Sequence, residues 1–318
     1  MKLSLVVPCY NEELSVVRFF EETNKTFADK DIDYEFVFVD DGSKDKTYDK
    51  LSGIYKNYAN KSEKYQIQVL SFSRNFGKEA GIYAGLQHAK GDMVCIIDAD
   101  LQQHPKVVLE MMQIMDNEND YDCVCAYQDK RKEGKVLSAF KKMFYKIINK
   151  VSEVDFVNGA SDFRLLNRKM VNAILSLTER SRFSKGIFSW VGFNTKYIPY
   201  DVLQREAGES KWNFFKLFKY AVDGIISFST MPLKISTFTG FFSAVASIFY
   251  LIIVIIQKFA FGIDVPGYAT IVVLLLFIGG LQLFSLGILG EYLAKAYIQG
   301  KERPIYILKE HLHESCND

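Results

Sequence analysis

The sequence predicts an α/β protein built on a doubly wound, mostly parallel sheet, followed by two C-terminal helices able to cross a membrane. Two observations predict it. Short apolar runs at residues 3–7, 34–39, 66–72, 94–97 and 122–127 alternate with amphipathic segments, the pattern of strands joined by crossover helices. Long apolar runs then fill residues 235–256 and 269–294, each at least the roughly 20 residues that span about 30 Å of hydrocarbon.

The first run ends in Pro8-Cys9-Tyr10-Asn11-Glu12, and a helix with apolar positions near Leu14, Val17 and Phe20 should follow. The second ends in Asp40-Asp41-Gly42-Ser43. There Asp-Gly supplies a turn, and Ser43 or Asp45 can cap the next helix. The third leads into Ser73-Arg74-Asn75-Phe76-Gly77-Lys78, and a helix over 78–89 carries Gly77, Gly81 and Gly85 on one face. That spacing predicts close helix packing, since neither dinucleotide nor Walker patterns fit.

The fourth run emerges at Asp98-Ala99-Asp100-Leu101-Gln102-Gln103-His104-Pro105. Two carboxylates at i, i+2 repel unless a cation lies between them. With the neutral oxygen of Gln102, the donor set suits a hard divalent ion, Mg²⁺ or Mn²⁺. The alternative is an ordinary acidic turn, with Asp100 or Gln102 capping a helix that begins near Pro105. Further on, the sequence predicts a charged loop over 128–135, a basic amphipathic helix over 139–151, a short strand entered through Asp162-Phe163-Arg164, and an interfacial helix over 212–229.

A net charge of +1 over 318 residues gives no sign of a nucleic-acid partner. Five cysteines without metal-ligand spacing argue for reduced thiols in the cytosol. Cys123 and Cys125 read as small core residues on one strand face. The start of the chain is no signal peptide, because its apolar run is short and Asn11-Glu12-Glu13 follows at once. Basic residues flank the apolar pair: Arg205, Lys211, Lys216, Lys219 and Lys234 precede it, and Lys295, Lys301, Arg303 and Lys309 follow it. The intervening loop offers only Lys258. The positive-inside rule therefore predicts a multi-pass inner-membrane protein with its α/β part and both termini in the cytoplasm.

Pro8-x-Tyr10-Asn11-Glu12, Asp40-Asp41-Gly42-Ser43, Asp98-Ala99-Asp100 and Asp162-Phe163-Arg164 all fall at predicted strand ends, where open α/β sheets bind ligands. Together they resemble the family 2 glycosyltransferases of the GT-A fold. Ser73-Arg74-Asn75-Phe76-Gly77-Lys78-Glu79, the segment from Asp98 to Pro105, and Arg205-Glu206-Ala207-Gly208-Glu209-Ser210-Lys211-Trp212 are similar to the polyprenyl-phosphate subfamily, which includes dolichyl-phosphate mannose synthase and bactoprenol glucosyltransferases. The resemblance covers essentially the whole chain. It implies a GT-A domain over 1–210, an interfacial region over 211–234, a transmembrane hairpin over 235–295 and a cytoplasmic tail over 296–318.

The resemblance also implies roles. Pro8, Tyr10, Glu12 and Asp40 match positions that hold the nucleobase and ribose of a nucleotide sugar, with Lys78 near the same pocket. Asp98 would contact the nucleotide, and Asp100 and Gln102 would be ligands of Mg²⁺ or Mn²⁺ on the diphosphate. Arg131, Arg205, Ser210 and Lys211 would hold the lipid phosphate. Gln128 stands where relatives often carry a further Arg. Asp162 matches the catalytic carboxylate, described in the family as a base; pairing with Arg164 is its structural alternative. The implied partners are a nucleotide-sugar donor, probed first as UDP-glucose, a polyprenyl-phosphate acceptor and the lipid bilayer, with room for a homo-oligomer and a membrane flippase. The competing functions are a processive polysaccharide synthase, against which the Gln-x-x-Arg-Trp motif is missing, and an inert sugar-nucleotide-binding scaffold.

Overall fold

The computed structural model describes residues 2–59, 61–118, 120–128, 148–150, 152, 154, 157, 159–201, 224–261 and 267–313. In chain order the elements are β1 (Lys2–Cys9), α1 (Val16–Phe27), β2 (Asp33–Asp40), α2 (Thr47–Tyr58), β3 (Tyr65–Phe72), α3 (Lys78–His88), β4 (Met93–Ile96) and α4 (Lys106–Asn117). Then come β5 (Cys123–Gln128), β6 (Ala160–Asn167), α5 (Arg168–Ser176), α6 (Ser184–Trp190), β7 (Thr195–Tyr200), α7 (Met231–Phe261), α8 (Tyr268–Gly300) and β8 (Leu308–Leu312).

Among the described residues the strands form one sheet in the order β7-β5-β6-β4-β1-β2-β3-β8. The pairs β4–β1, β1–β2, β2–β3 and β5–β7 are parallel, whereas β6 runs antiparallel to both β4 and β5. Strand alternation sorts the core into two layers. Leu3, Leu5 and Val7 of β1 face α1, α2 and α4 through Phe19, Phe20, Leu51, Ile54, Val108 and Met111. Val6, Val37 and Val94 face α3, α5 and α6 through Ile82, Leu86, Met170, Ile174 and Ile187. Cys123 and Cys125 lie buried in this second layer as small core residues.

The helix glycines divide as their spacing predicts only in part. A Cβ on Gly85 would lie 2.2 Å from Val6 Cγ1, so α3 rests directly on β1 there. Gly77 instead precedes α3 at φ +98° with open space around it. The expected apolar face of the first helix is shifted: Leu14 is 75 % exposed ahead of α1, and Val16, Phe19, Phe20, Thr23 and Phe27 are the buried set. Asn11 at φ +56° turns the chain away from the sheet, and the helix starts after Leu14 rather than at it.

The apolar C-terminal helices have mean hydropathies of 2.4 and 2.5 and are not buried against the domain. Large side chains such as Phe238, Phe242, Phe249, Leu275 and Phe284 are exposed along them. This excludes two buried helices of a soluble core and leaves a surface suited to lipid. After α8 the chain returns: Tyr306 stacks on Phe72 at 5.0 Å, Ser73 N–H donates to Ile307 O, and β8 adds antiparallel to β3. Residues 308–312, within the tail expected over 296–318, form a strand on the open edge of β3.

Candidate active site

The carboxyl ends of β1, β2, β3 and β4 open on one edge, and the loops there are tied to one another by hydrogen bonds. Asn11 N–H donates to Ser43 Oγ at 3.0 Å, and Glu12 N–H donates to Thr47 Oγ1 at 2.8 Å. Asp45 accepts from Thr47 N–H at 3.0 Å at the start of α2, whose N-cap, Lys46, makes no side-chain cap bond. Asp40 is buried and accepts from Ser43 N–H and Ser71 Oγ, both at 3.1 Å. Pro8, Tyr10 and Glu12, at the end of the neighbouring strand β1 and in the loop after it, are half-buried.

Asp41, which drew no separate role from the sequence, is the hinge of the next loop. Its carboxylate accepts from Asn75 Nδ2 at 2.9 Å, Phe76 N–H at 2.6 Å and Gly77 N–H at 2.9 Å. Burial raises its pKa, and the two backbone donors oppose that rise. Gly42 lets the two loops touch: at φ +62°, a Cβ there would lie 2.4 Å from the Arg74 carbonyl carbon. The result fixes Gly77 and hence the first residue of α3, Lys78.

Lys78 is where the edge becomes a site. Its Nζ lies 2.7 Å from Asp98 Oδ1 and 3.2 Å from Asp162 Oδ2. The sheet explains the pairing. β6 is antiparallel to β4 with Ile96 opposite Arg164, so continuing that register puts residue 98 opposite residue 162. Lys78 relieves the repulsion this would cause. Asp98 is also gripped by buried Gln103, which accepts from Asp98 N–H at 2.9 Å and donates to its Oδ2 at 3.0 Å.

Asp162 does not pair with Arg164, the alternative that the sequence left open. Arg164 is buried, donates from Nη2 to Ser161 O at 2.7 Å and stacks 3.8 Å over the Phe188 ring. Burial alone would raise the Asp162 pKa; Lys78, Lys185 and Arg164, in that order, outweigh it and hold it at about 2. Glu79 moves the other way, raised by burial and by the charge of Asp162.

Asp100 and Gln102 occupy the turn beyond β4, with Leu101 between them at φ +59°. Gln102 N–H donates to Asp100 Oδ1 at 3.1 Å. This bond closes a local turn and does not cap α4, which starts after Pro105 without a side-chain cap. Among the described residues no three His, Cys, Asp or Glu side chains converge as a metal cage. Two oxygen donors on one turn fit an Mg²⁺-like ion that takes its remaining ligands from substrate phosphates and water. Arg131, Arg205, Ser210 and Lys211 lie outside the described residues, as do most of the segments 128–135, 139–151 and 212–229. Sequence reasoning missed Asp41, Gln103 and Lys185; only the doubled acid before Gly42 offered a local signal.

The glycosyl transferase family 2 model matches residues 4–175. The chain belongs to glycosyl transferase family 2. The expected GT-A architecture is the one observed, and the GtrB C-terminal hairpin model matches residues 231–296 of this glycosyltransferase. CsbB of Bacillus subtilis (strain 168), named as a glycosyltransferase, is 43 % identical over 97 % of this chain and 91 % of its own length. A protein of Shigella phage SfV named bactoprenol glucosyl transferase is 40 % identical over 97 % of this chain and 98 % of its own. Among solved structures, glucosyl-3-phosphoglycerate synthase from Mycobacterium tuberculosis with Mn²⁺, UDP-glucose and phosphoglyceric acid has a TM-score of 0.47 and 14 % identity, covering 71 % of this chain and 77 % of that one.

Proposed function

We propose that this glycosyltransferase is membrane-anchored and inverting, and moves one hexose, glucose, from UDP-glucose to undecaprenyl phosphate or a similar polyprenyl phosphate at the cytoplasmic membrane face. The observation that carries this is the full-length similarity, sheet edge and hairpin together, to a protein named bactoprenol glucosyl transferase. An acceptor confined to the bilayer also accounts for why a nucleotide-sugar site would be joined to two lipid-suited helices.

In the reaction, an acceptor phosphate oxygen attacks the anomeric carbon. The bond from that carbon to the donor's diphosphate breaks, and the nucleoside diphosphate leaves with the electron pair. A phosphate monoester has its second pKa near about 6, so the attacking oxygen is already ionised at neutral pH. A carboxyl held at about 2 is a weak base, which favours Asp162 as an electrostatic partner of the sugar over a proton acceptor. Lys78 lies between Asp98 and Asp162 and offsets their mutual repulsion. A divalent ion on Asp100 and Gln102 would neutralise charge building on the leaving diphosphate. Pro8, Tyr10, Glu12 and Asp40 would border the nucleoside.

Strand β8, which follows the second apolar helix, shares a sheet with β1–β4, which precede the first. One sheet lies on one side of a membrane, which supports an even number of crossings; the flanking basic residues favour the cytoplasmic side. The test is turnover by the reconstituted full chain with polyprenyl phosphate and a panel of UDP-glucose, UDP-N-acetylglucosamine, UDP-galactose and GDP-mannose. A single sugar of inverted configuration on the lipid is expected. A growing polymer would indicate a processive synthase, and binding without turnover a scaffold.

A further inference from the structure

We propose that Lys185 is a substrate-contacting cation of the transfer site, binding phosphate oxygens of the donor diphosphate or of the acceptor. The proposal rests on the transfer reading above, and it starts from how α6 is held. At the head of α6, Ser184 N–H donates to Glu79 Oε2 at 2.8 Å, with a second bond to the same oxygen from Ser184 Oγ. Glu79 directly follows Lys78, the residue bridging Asp98 and Asp162. One helical turn later, the Phe188 ring lies 3.8 Å from the Arg164 guanidinium, and Arg164 shares a strand face with Asp162.

Lys185 therefore lies on α6 between these two anchors, half-buried, within electrostatic range of Asp162. Burial lowers its pKa and Asp162 raises it, while Arg164 and Lys78 lower it further. Its surroundings differ from those of Lys78 in one respect. Lys78 lies within 3.2 Å of two carboxylates; among the described residues Lys185 has no carboxylate at ion-pair distance. Lys78, Lys185 and Arg164 thus lie near Asp162, and a cation there with no carboxylate at ion-pair distance among the described residues suits an entering anion. A phosphate oxygen near Asp162 would be repelled by that carboxylate, and Lys185 supplies the charge that offsets it.

The test uses the full chain in detergent, with wild type, Lys185→Met and Lys185→Arg compared by UDP binding with Mn²⁺ and by steady-state transfer to polyprenyl phosphate. Circular dichroism and melting check that each variant is folded. Lys185→Met should weaken one phosphate-dependent constant on the order of 10- to 100-fold, and Lys185→Arg should recover part of the loss. A raised Kd for UDP assigns the contact to the diphosphate; an unchanged Kd with a raised acceptor KM assigns it to the lipid phosphate. Folded Lys185→Met with both constants and kcat at wild-type values overturns the proposal, as does equal loss in Met and Arg variants with neither constant changed. If Lys185→Met does not fold, Lys185→Arg and Lys185→Gln are compared by the same constants. Should wild type transfer nothing to polyprenyl phosphate, the transfer reading fails, and UDP binding alone decides Lys185: weaker binding upholds it, unchanged binding overturns it.

Discussion

Replacing Lys78 with Met removes the cation that Asp98 and Asp162 share at 2.7 and 3.2 Å. Holding the Asp162 carboxyl at about 2 instead of 3.8 favours its ionised form by roughly 2 kcal/mol, at about 1.4 kcal/mol per tenfold in the ionisation constant. Burial opposes this, and Lys78 is the largest of the three cations that overcome it. Without Lys78 the carboxyl should titrate at or above the ordinary carboxylate range. Because the Lys78 side chain is 45 % exposed, solvent screening reduces the stability cost near neutral pH to about 1 kcal/mol.

The sign of the pH dependence follows. In wild type Asp162 is depressed below its unfolded value, so its contribution is complete above about pH 4 and lost as pH falls through about 2. In Lys78→Met, with the carboxyl no longer below its unfolded value, that contribution should be missing. Thermal melting of the full chain in detergent between pH 3 and 7 measures this, at roughly 2–4 °C per kcal/mol for a domain of this size. The double variant Lys78→Met/Asp162→Asn should be less destabilised than the sum of the singles. Additive losses, or a Lys78→Met midpoint that tracks wild type from pH 7 to 3, would refute the reasoning.

Chelation should abolish transfer, and Asp100→Ala should do so without changing the melting temperature; full turnover in excess chelator would remove the metal from the mechanism. Gly85→Ala should destabilise the domain by about 1–3 kcal/mol, because its Cβ would lie 2.2 Å from Val6 Cγ1; an unchanged denaturation midpoint would show that α3 shifts freely on β1. For topology, a cysteine at Lys309 on β8 should label only from the cytoplasmic side and one at Gly267 only from outside, and the reverse pattern would invert the proposed orientation.

Local pattern was enough for much of this molecule. The apolar runs at 3–7, 34–39, 66–72 and 94–97 predict β1 to β4 because buried parallel strands need apolar residues on both faces. The long runs near 235–256 and 269–294 announce two helices long and apolar enough to cross a membrane, and the domain leaves them uncovered. The polar motifs at strand ends likewise mark the candidate site's edge, since topology alone gathers those ends. Other features had no local signature. The antiparallel entry of β6 sets residue 162 opposite residue 98, a relation between segments far apart in sequence. Lys78 becomes the bridge only because Asp41 ties down the loop before it, and Gln103 clamps Asp98 while its neighbour Gln102 does not. Leu14 lies outside the core because a left-handed Asn11 moves the helix start, which periodicity cannot register. Residues 308–312, expected as part of a tail over 296–318, become a strand because β3 offers an open edge of backbone groups. Sequence encodes which residues need burial or water; which of them meet is decided by packing between segments that only the folded chain brings together.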